Sequence, residues 1–436
     1  MDKFGFVGET TEYKLSDLFN LQMGKTPSRN NAEFWSDGEY KWISIADLTK
    51  TGKYISETKE LLSQKAIDES GIAVIPTNTV VMSFKLSIGK TAITSEDMYS
   101  NEAIMSFHDR HVTELLPEYI YYLLLAQRWD EGANKAVMGM TQNKATLSNR
   151  KVKIHSIIAQ KSIVERLDKL QKLIDDRKTQ LDELETLIKA RFVEMFGDPL
   201  AGTEKWSFQT VGDVADSVDP QPSHRTPPVV EGGIPYVSMK DCNYKNGTID
   251  FAGARKVSPD VLVEHHNRYE LHNGDFIIGK IGTIGNPIFV PKRDDYALSA
   301  NVVLIQPNSS KVSPYFLKET FESSFVERQF LDAKNSTSQA AFGIKKVRNI
   351  KMMNPDMKTQ MEFENFAIQV DKLKVEVQSI FLNCDSRSIF RYAQSIKGCK
   401  IEKYERRCSF DTKRECHRGN EKKWWICYLS AIKSDC

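Results

Sequence analysis

Basic side chains gather at turns along this chain: Lys25 and Arg29, Lys85 and Lys90, Lys144 with Arg150 and Lys151, Arg255 and Lys256, Lys280, Lys292 and Arg293, and Lys345 with Lys346 and Arg348. Cations placed in patches can neutralise phosphates, so nucleic-acid binding is the first chemistry to weigh. Many of them fall at corresponding places in two halves of the chain. A scattered solvated face would not require that, although descent from one duplicated ancestor would also produce it. Ser87-Ile88-Gly89-Lys90-Thr91 is not a phosphate loop of the Walker type, because Phe84 stands where its first glycine belongs. Gly279, Gly282 and Gly285 recur every third residue, the wrong spacing for a dinucleotide fingerprint. Two readings stay open for these strings: a tight turn, or a turn that brings a lysine against a phosphate.

Catalytic constellations are missing. Asn354-Pro355-Asp356-Met357 lacks the second proline and the aromatic residue of an adenine-methyltransferase loop. Asp260 has no Glu/Asp-x-Lys partner that would hold Mg²⁺ for a nuclease. His265, His266 and His272 lie beside Glu264 and Glu270, but adjacent histidines on a strand point to opposite sides, so exposed polar residues are expected there, with no metal. Cys408, Cys416, His417, Cys427 and Cys436 never show the short spacing of a zinc knuckle.

The elements that must position the basic turns follow from composition and pattern. The 436 residues carry 60 basic and 58 acidic side chains, with 27% charged and 40% hydrophobic. That is a globular composition, and at roughly 100 to 200 residues per domain it asks for two to four domains. The longest apolar run, Tyr119 to Ala126, is far short of the roughly 18 residues of a membrane span. Met1 to Leu15 lacks the basic and apolar regions of a secretory signal, so a cytoplasmic protein is expected. Six of the seven cysteines follow Asn383, in a stretch, Leu382 to Cys436, with 13 basic and 7 acidic residues; residues 1–381 carry 47 and 51.

The chain repeats itself once. Tyr40-Lys41-Trp42-Ile43-Ser44-Ile45-Ala46-Asp47 recurs as Ile234-Pro235-Tyr236-Val237-Ser238-Met239-Lys240-Asp241. Lys85-Leu86-Ser87-Ile88-Gly89 matches Lys280 to Gly285 once one residue is inserted, Tyr99 to Ile104 pairs with Ala297 to Val303, and Pro117-Glu118-Tyr119 with Pro314-Tyr315-Phe316. Each half therefore opens with a mixed unit of short β-branched strands, Gly/Pro/Asn turns and a helix after the proline.

After each mixed unit the apolar period changes to 3.5. Ile163, Leu167, Leu170, Ile174, Leu181, Leu184, Ile188 and Met195 form a heptad seam, with Arg177 and Arg191 at two of its positions. Phe363, Phe366, Val370, Leu373, Val377 and Ile380 form a second one. One such stripe would suit a core-facing helix, whereas two in matching places predict helices packed on each other. The first, roughly Ile157 to Phe196, would be on the order of 60 Å long if unbroken, and Gly197-Asp198-Pro199 stops it.

Two mixed units, each followed by a heptad helix, resemble the specificity subunit of type I restriction-modification systems over residues 1 to about 381. The strings that carry the likeness are Gly24-Lys25-Thr26-Pro27-Ser28, Trp42-Ile43-Ser44-Ile45-Ala46-Asp47-Leu48, Ile88-Gly89-Lys90-Thr91, Thr141-Gln142-Asn143-Lys144 and Phe192-Val193-Glu194-Met195-Phe196-Gly197-Asp198-Pro199. The second half departs from them: Asp219-Pro220-Gln221-Pro222-Ser223 and Thr337-Ser338-Gln339-Ala340-Ala341 stand in their place. The resemblance implies an α/β (mixed α+β) fold of two tandem target-recognition domains, 1–156 and 201–355. Each is followed by a helix, 157–200 and 356–381, and the two helices pair as an antiparallel coiled-coil spacer. It implies a non-catalytic subunit that reads a split site in double-stranded DNA and docks two methyltransferase subunits, joined by restriction subunits. S-adenosylmethionine, Mg²⁺ and ATP would belong to those partners, with no cofactor and no membrane contact in this chain.

On this resemblance the DNA-binding candidates are Lys25, Thr26, Ser28, Arg29, Lys85, Lys90, Gln142, Asn143 and Lys144 in the first half and Lys280, Arg293, Ser338, Gln339 and Lys345 in the second. Arg and Lys would take phosphates; Gln142, Asn143, Ser338 and Gln339 would read bases. Leu167, Leu170, Ile174, Leu181, Leu184, Ile188, Phe366, Val370, Leu373 and Val377 are the candidates for partner-binding helices. Residues 382–436 are read as an atypical Cys-rich basic tail, a shifted-frame or rearranged extension that leaves the second helix short. Two other classes remain: a stand-alone DNA-modifying enzyme, and a coiled-coil scaffold without DNA affinity, which would show no salt-dependent duplex binding.

Overall fold

The computed structural model describes residues 10–383, apart from 128, 130–133, 137–138, 142–143, 204, 222, 224, 245–246, 281–284 and 336–342. The chain divides between Lys172 and Leu173 into two compact units. The expected tail therefore lies outside the described residues, as do Gln142, Asn143, Ser338 and Gln339.

In the first unit, Val80–Ser83 and Thr91–Thr94 are buried along their whole length, as strands covered on both faces must be. They sit inside a five-stranded sheet ordered Phe19–Met23, Ile104–Asp109, Val80–Ser83, Thr91–Thr94, Tyr54–Ile55. A smaller sheet sets Tyr40–Ile43 between Glu60–Leu62 and Tyr99–Ser100, antiparallel to the former and parallel to the latter. Thr10–Lys14 pairs with Lys151–His155, and the helix Ile157–Phe196 follows directly.

The second unit repeats this plan. Ala215–Val218, Val302–Pro307, Phe276–Gly279 and Gly285–Phe289 form its main sheet; Ile234–Val237 lies between Arg255–Val257 and Ala297–Leu298; Phe208–Thr210 pairs with Lys351–Met353 ahead of the helix Met357–Asn383. Local chemistry repeats too. In the turn after the matched strand, Ser44 N–H and hydroxyl donate to Asp47 Oδ2 at 2.8 and 2.6 Å, and Ser238 does the same to Asp241 at 2.8 and 2.7 Å. These are capping boxes that satisfy orphan amides, which explains why the repeated string closes on Asp.

The strand registers correct one sequence match. Ser83 pairs with Ile104, and the next amide, Phe84 N–H, donates to Ala103 O at 2.9 Å; Gly279 pairs with Val302, and Lys280 N–H donates to Asn301 O at 2.9 Å. Lys280 is thus the counterpart of Phe84, an inward position, and not of Lys85.

Both long helices are tied to their own unit by a buried glutamine that hydrophobic periodicity does not reveal. Gln160 accepts from Leu116 N–H at 3.0 Å and donates to Glu114 and His155 carbonyls, each at 2.9 Å. Gln360 accepts from Ser313 N–H at 2.9 Å and donates to Pro355 O at 2.9 Å. Leu116 and Ser313 immediately precede the prolines that start the helices Pro117–Leu125 and Pro314–Glu322.

The first long helix stops where its sequence directs. Gly197 donates to Val193 O at 2.8 Å with φ +83°, and a Cβ there would stand 2.2 Å from Thr203 O, so only glycine fits.

Within the second unit the two long helices run antiparallel. Glu185 pairs with Lys374, Arg191 lies 5.8 Å from the Phe366 ring centroid, and Phe192 and Phe196 pack on Phe363 at 5.5 and 5.6 Å, so numbering falls on one helix as it rises on the other. The buried stripe of the second helix is Gln360, Phe363, Ala367, Val370 and Val377, with Lys374 in phase. Leu373 is 49% exposed. Choosing the more apolar of two neighbours misplaced the seam there, because the stem of Lys374 packs inward while its ammonium meets Glu185.

Candidate nucleic-acid interface

In the first unit the chain leaves the strand Phe19–Met23 through Gly24, whose missing side chain is required: a Cβ would lie 2.3 Å from the Ser100 and Asn101 carbonyls. The following residues form an arm pinned there by Lys25 N–H to Ser100 O at 2.8 Å. Thr26 donates its hydroxyl to Glu102. Arg29 makes a two-pronged pair with Glu60 at 2.6 and 3.0 Å and lies 3.7 Å above the Trp35 ring and 4.9 Å from that of Trp42. The two indole N–H groups in turn donate to Ser28 O and Lys25 O, each at 3.1 Å, so the aromatic floor is itself tied to the arm. Planar stacking and a forked pair suit guanidinium and not ammonium.

The charges respond to one another. Hydrogen bonding to Arg29 holds the Glu60 carboxyl below the usual range, and the same bond raises Arg29. Glu102 is also lowered, first by the Thr26 hydroxyl and further by the charges of Lys85 and Arg29. The structure therefore brings Thr26, Arg29 and Lys85 together around Glu102, while the Lys25 ammonium donates to Ser70 O instead. Lys85 pairs in register with Thr141. Lys90, Ser28 and Lys144 are exposed. Gly89, with φ +89°, lies under Trp129, whose Cδ1 would be 2.8 Å from a Cβ.

The second unit differs. Lys280, expected at the DNA face, is 5% exposed and bonded to Asp219 at 2.6 Å, because it occupies the inward place of Phe84. It is a strut and not an open cation. Arg293 is forked to Asp295 and lies 4.5 Å from the Phe251 ring. Lys345 is exposed on the short helix Ile344–Arg348. These three residues lie on separate elements and form no shared cluster.

His266 and His272 are exposed as expected, whereas His265 is not. His265 and His266 end a helix, Pro259–His266, and His265 is buried. It bonds Gln221 Oε1 at 2.7 Å and Tyr269 OH at 3.0 Å, and burial lowers it to about 4, so it is neutral at pH 7. The polar network it forms fixes the stretch 219–221, the counterpart of the first arm. Repeat alignment marked that stretch as deviant but gave no sign of its buried partner. Among the described residues no group of three or more His, Cys, Asp or Glu side chains is placed to hold a metal ion.

On the long helices, Leu167, Ile174, Ile188, Val370 and Val377 face the interior of the chain. Leu184 and Phe366 are partly buried against the core of the second unit, and Leu170 and Leu181 are half-buried. The five interior residues cannot meet a partner, which corrects their expected role. Among the described residues, the large apolar side chains open on these helices are Leu373, already expected, and Ile158, Leu173, Leu187, Val193, Met361 and Val375, which lie off the predicted seam.

Comparison with known proteins agrees with this architecture. The type I restriction modification DNA specificity domain matches twice, over residues 8–186 and 203–379. The MjaIX specificity subunit of Methanocaldococcus jannaschii is 26% identical over 189 residues, 42% of this chain and 43% of its own length. The EcoprrI specificity subunit of Escherichia coli is 30% identical over 88 residues, 20% and 21% of the two lengths. The chain thus spans less than half the length of either relative. A crystal structure of the type I restriction-modification S subunit from M. genitalium superposes with a TM-score of 0.52 at 12% identity, covering 91% of this chain and 98% of that one, a likeness of fold.

Proposed function

The chain belongs to the type I restriction modification DNA specificity family, and from that membership we propose that it is the DNA-reading subunit of a type I restriction-modification complex. The observation that carries the proposal is the same backbone frame appearing twice with different side chains on its arm: Thr26 bound to Glu102 and Arg29 to Glu60 in one unit, Asp219 and Gln221 fixed by Lys280 and His265 in the other. Identical frames with unlike contact chemistry suit two unlike half-sites.

In this reading the arms meet duplex DNA, and the long helices space the half-sites and seat two methyltransferase subunits through exposed side chains such as Leu173, Leu187 and Leu373. Restriction subunits complete the complex. The chain itself makes and breaks no covalent bond; S-adenosylmethionine, Mg²⁺ and ATP are bound by the partners, and adenine-N6 methylation and cleavage occur there. The complex works in the cytoplasm. No described helix is long and apolar enough to cross a membrane.

The test is to express the chain with methyltransferase partners in cells and map methylated adenines. A single split, asymmetric motif that disappears when this chain is omitted is the expected result. Modification by the purified chain alone, or an unchanged methylation map without it, would refute the proposal.

A further inference from the structure

The two arms occupy equivalent places, yet the strands beneath them carry opposite charge. Trp42 pairs with Glu60 in the first unit, and Tyr236, its counterpart, pairs with Arg255 in the second. Asn101 N–H donates to Ile43 O, and Ser299 N–H to Val237 O, which makes Ala300 the counterpart of Glu102. Both carboxylates that engage the first arm are therefore replaced, one by arginine and one by alanine.

The consequences for charge are direct. In the first unit Arg29 is bound by Glu60 and Thr26 by Glu102. In the second, Arg255 donates from Nε and one terminal nitrogen to Pro227 O at 3.1 and 2.8 Å, and among the described residues no carboxylate meets its other terminal nitrogen. Arg225 is exposed, and among the described residues no carboxylate is hydrogen-bonded to it. The acid on this arm, Asp219, is taken by Lys280 from below, and Gln221 is taken by His265. The Ser223 hydroxyl accepts from Gln221 Nε2 at 3.0 Å. Asp219 and Gln221 are thus held from below, and among the described residues neither Arg225 nor Arg255 has a counter-charge.

We propose that Arg225 and Arg255 of the second unit form a phosphate-binding pair that contacts the backbone of duplex DNA. The second unit thereby supplies salt-dependent affinity, whereas Arg29 of the first unit, already neutralised, adds specificity without it. This rests on the DNA-reading assignment above. Each phosphate neutralised contributes about 0.9 to the slope of log affinity against log salt.

The experiment measures binding of the full chain to a mixed-sequence DNA duplex across a salt series. R225Q and R255Q are each expected to lower the slope by about 0.9, and R255E, which installs the charge of Glu60, by at least as much. R29Q is expected to leave the slope unchanged, and E60R to raise it. Wild-type slopes in R225Q and R255E, or a loss in R29Q equal to that in R225Q, would overturn the inference. Arg225 is exposed and holds nothing else in place, so R225Q decides the matter even if an Arg255 variant does not fold. If the wild-type chain shows no salt-dependent duplex binding, the DNA-reading assignment fails first and takes the inference with it.

Discussion

Arg29 shows how one residue type serves two roles according to its neighbours. Stacked on Trp35 and forked to Glu60, it is held as a flat donor edge, so R29K should keep the charge but lose both contacts. Methylation at the target should fall about tenfold, equivalent to ~1.4 kcal/mol, while binding to unrelated DNA stays the same; methylated fraction and duplex affinity report the two. His265 gives a pH prediction. Its folded pKa, about 4, lies below the ordinary 6.5, so between those values the unfolded state binds more protons and the contribution of this residue to stability rises with pH. Acidification from pH 6.5 to 4 should cost roughly 3 kcal/mol relative to H265Q, read as the difference between their urea midpoints along a pH series. Sequence placed Lys25, Thr26 and Arg29 in one string but gave no sign that Lys85 lies near them. It could not show Glu60 closing on Arg29, nor Lys280 turned inward, because both depend on strand register, and a one-residue slip reverses which face a side chain takes.

At the level of elements, the packing of the two long helices on each other was legible from their 3.5-residue period, their antiparallel sense only from the family resemblance, and the stop of the first from Gly197 and Pro199. What the period could not resolve was the choice between Leu373 and Lys374, because a lysine with a long apolar stem can fill a seam position when a carboxylate waits opposite. The Glu185–Lys374 pair is mostly buried, with side-chain exposures of 29% and 12%. K374L should destabilise the second unit by about 1–3 kcal/mol, since it strands a half-buried carboxylate, and the double change E185L/K374L should recover most of that loss; chemical denaturation of the wild type, E185L, K374L and the double variant measures it. Burial also raises the Glu319 carboxyl, close to Glu322 and Glu185. Because the folded state holds that proton more tightly than the unfolded chain, its contribution to stability is present at low pH and fades as pH climbs.

For the whole molecule, the duplication was the most legible feature, since four strings recur in one order; the reach of the likeness became visible only through the shared registers, where sequence identity between the halves is slight. If each unit reads its own half-site, replacing residues 201–355 with the corresponding part of a relative should change one half of the methylated motif and leave the other half intact, as methylome mapping would show. The joint between module and helix bears on how freely that exchange succeeds. Gln160 and Gln360 grasp only main-chain amides and carbonyls, groups that nearly every amino acid supplies. A coupling blind to side chains lets recombination install a foreign cassette without redesigning the hinge that receives it, so new recognition repertoires can arise in single genetic steps.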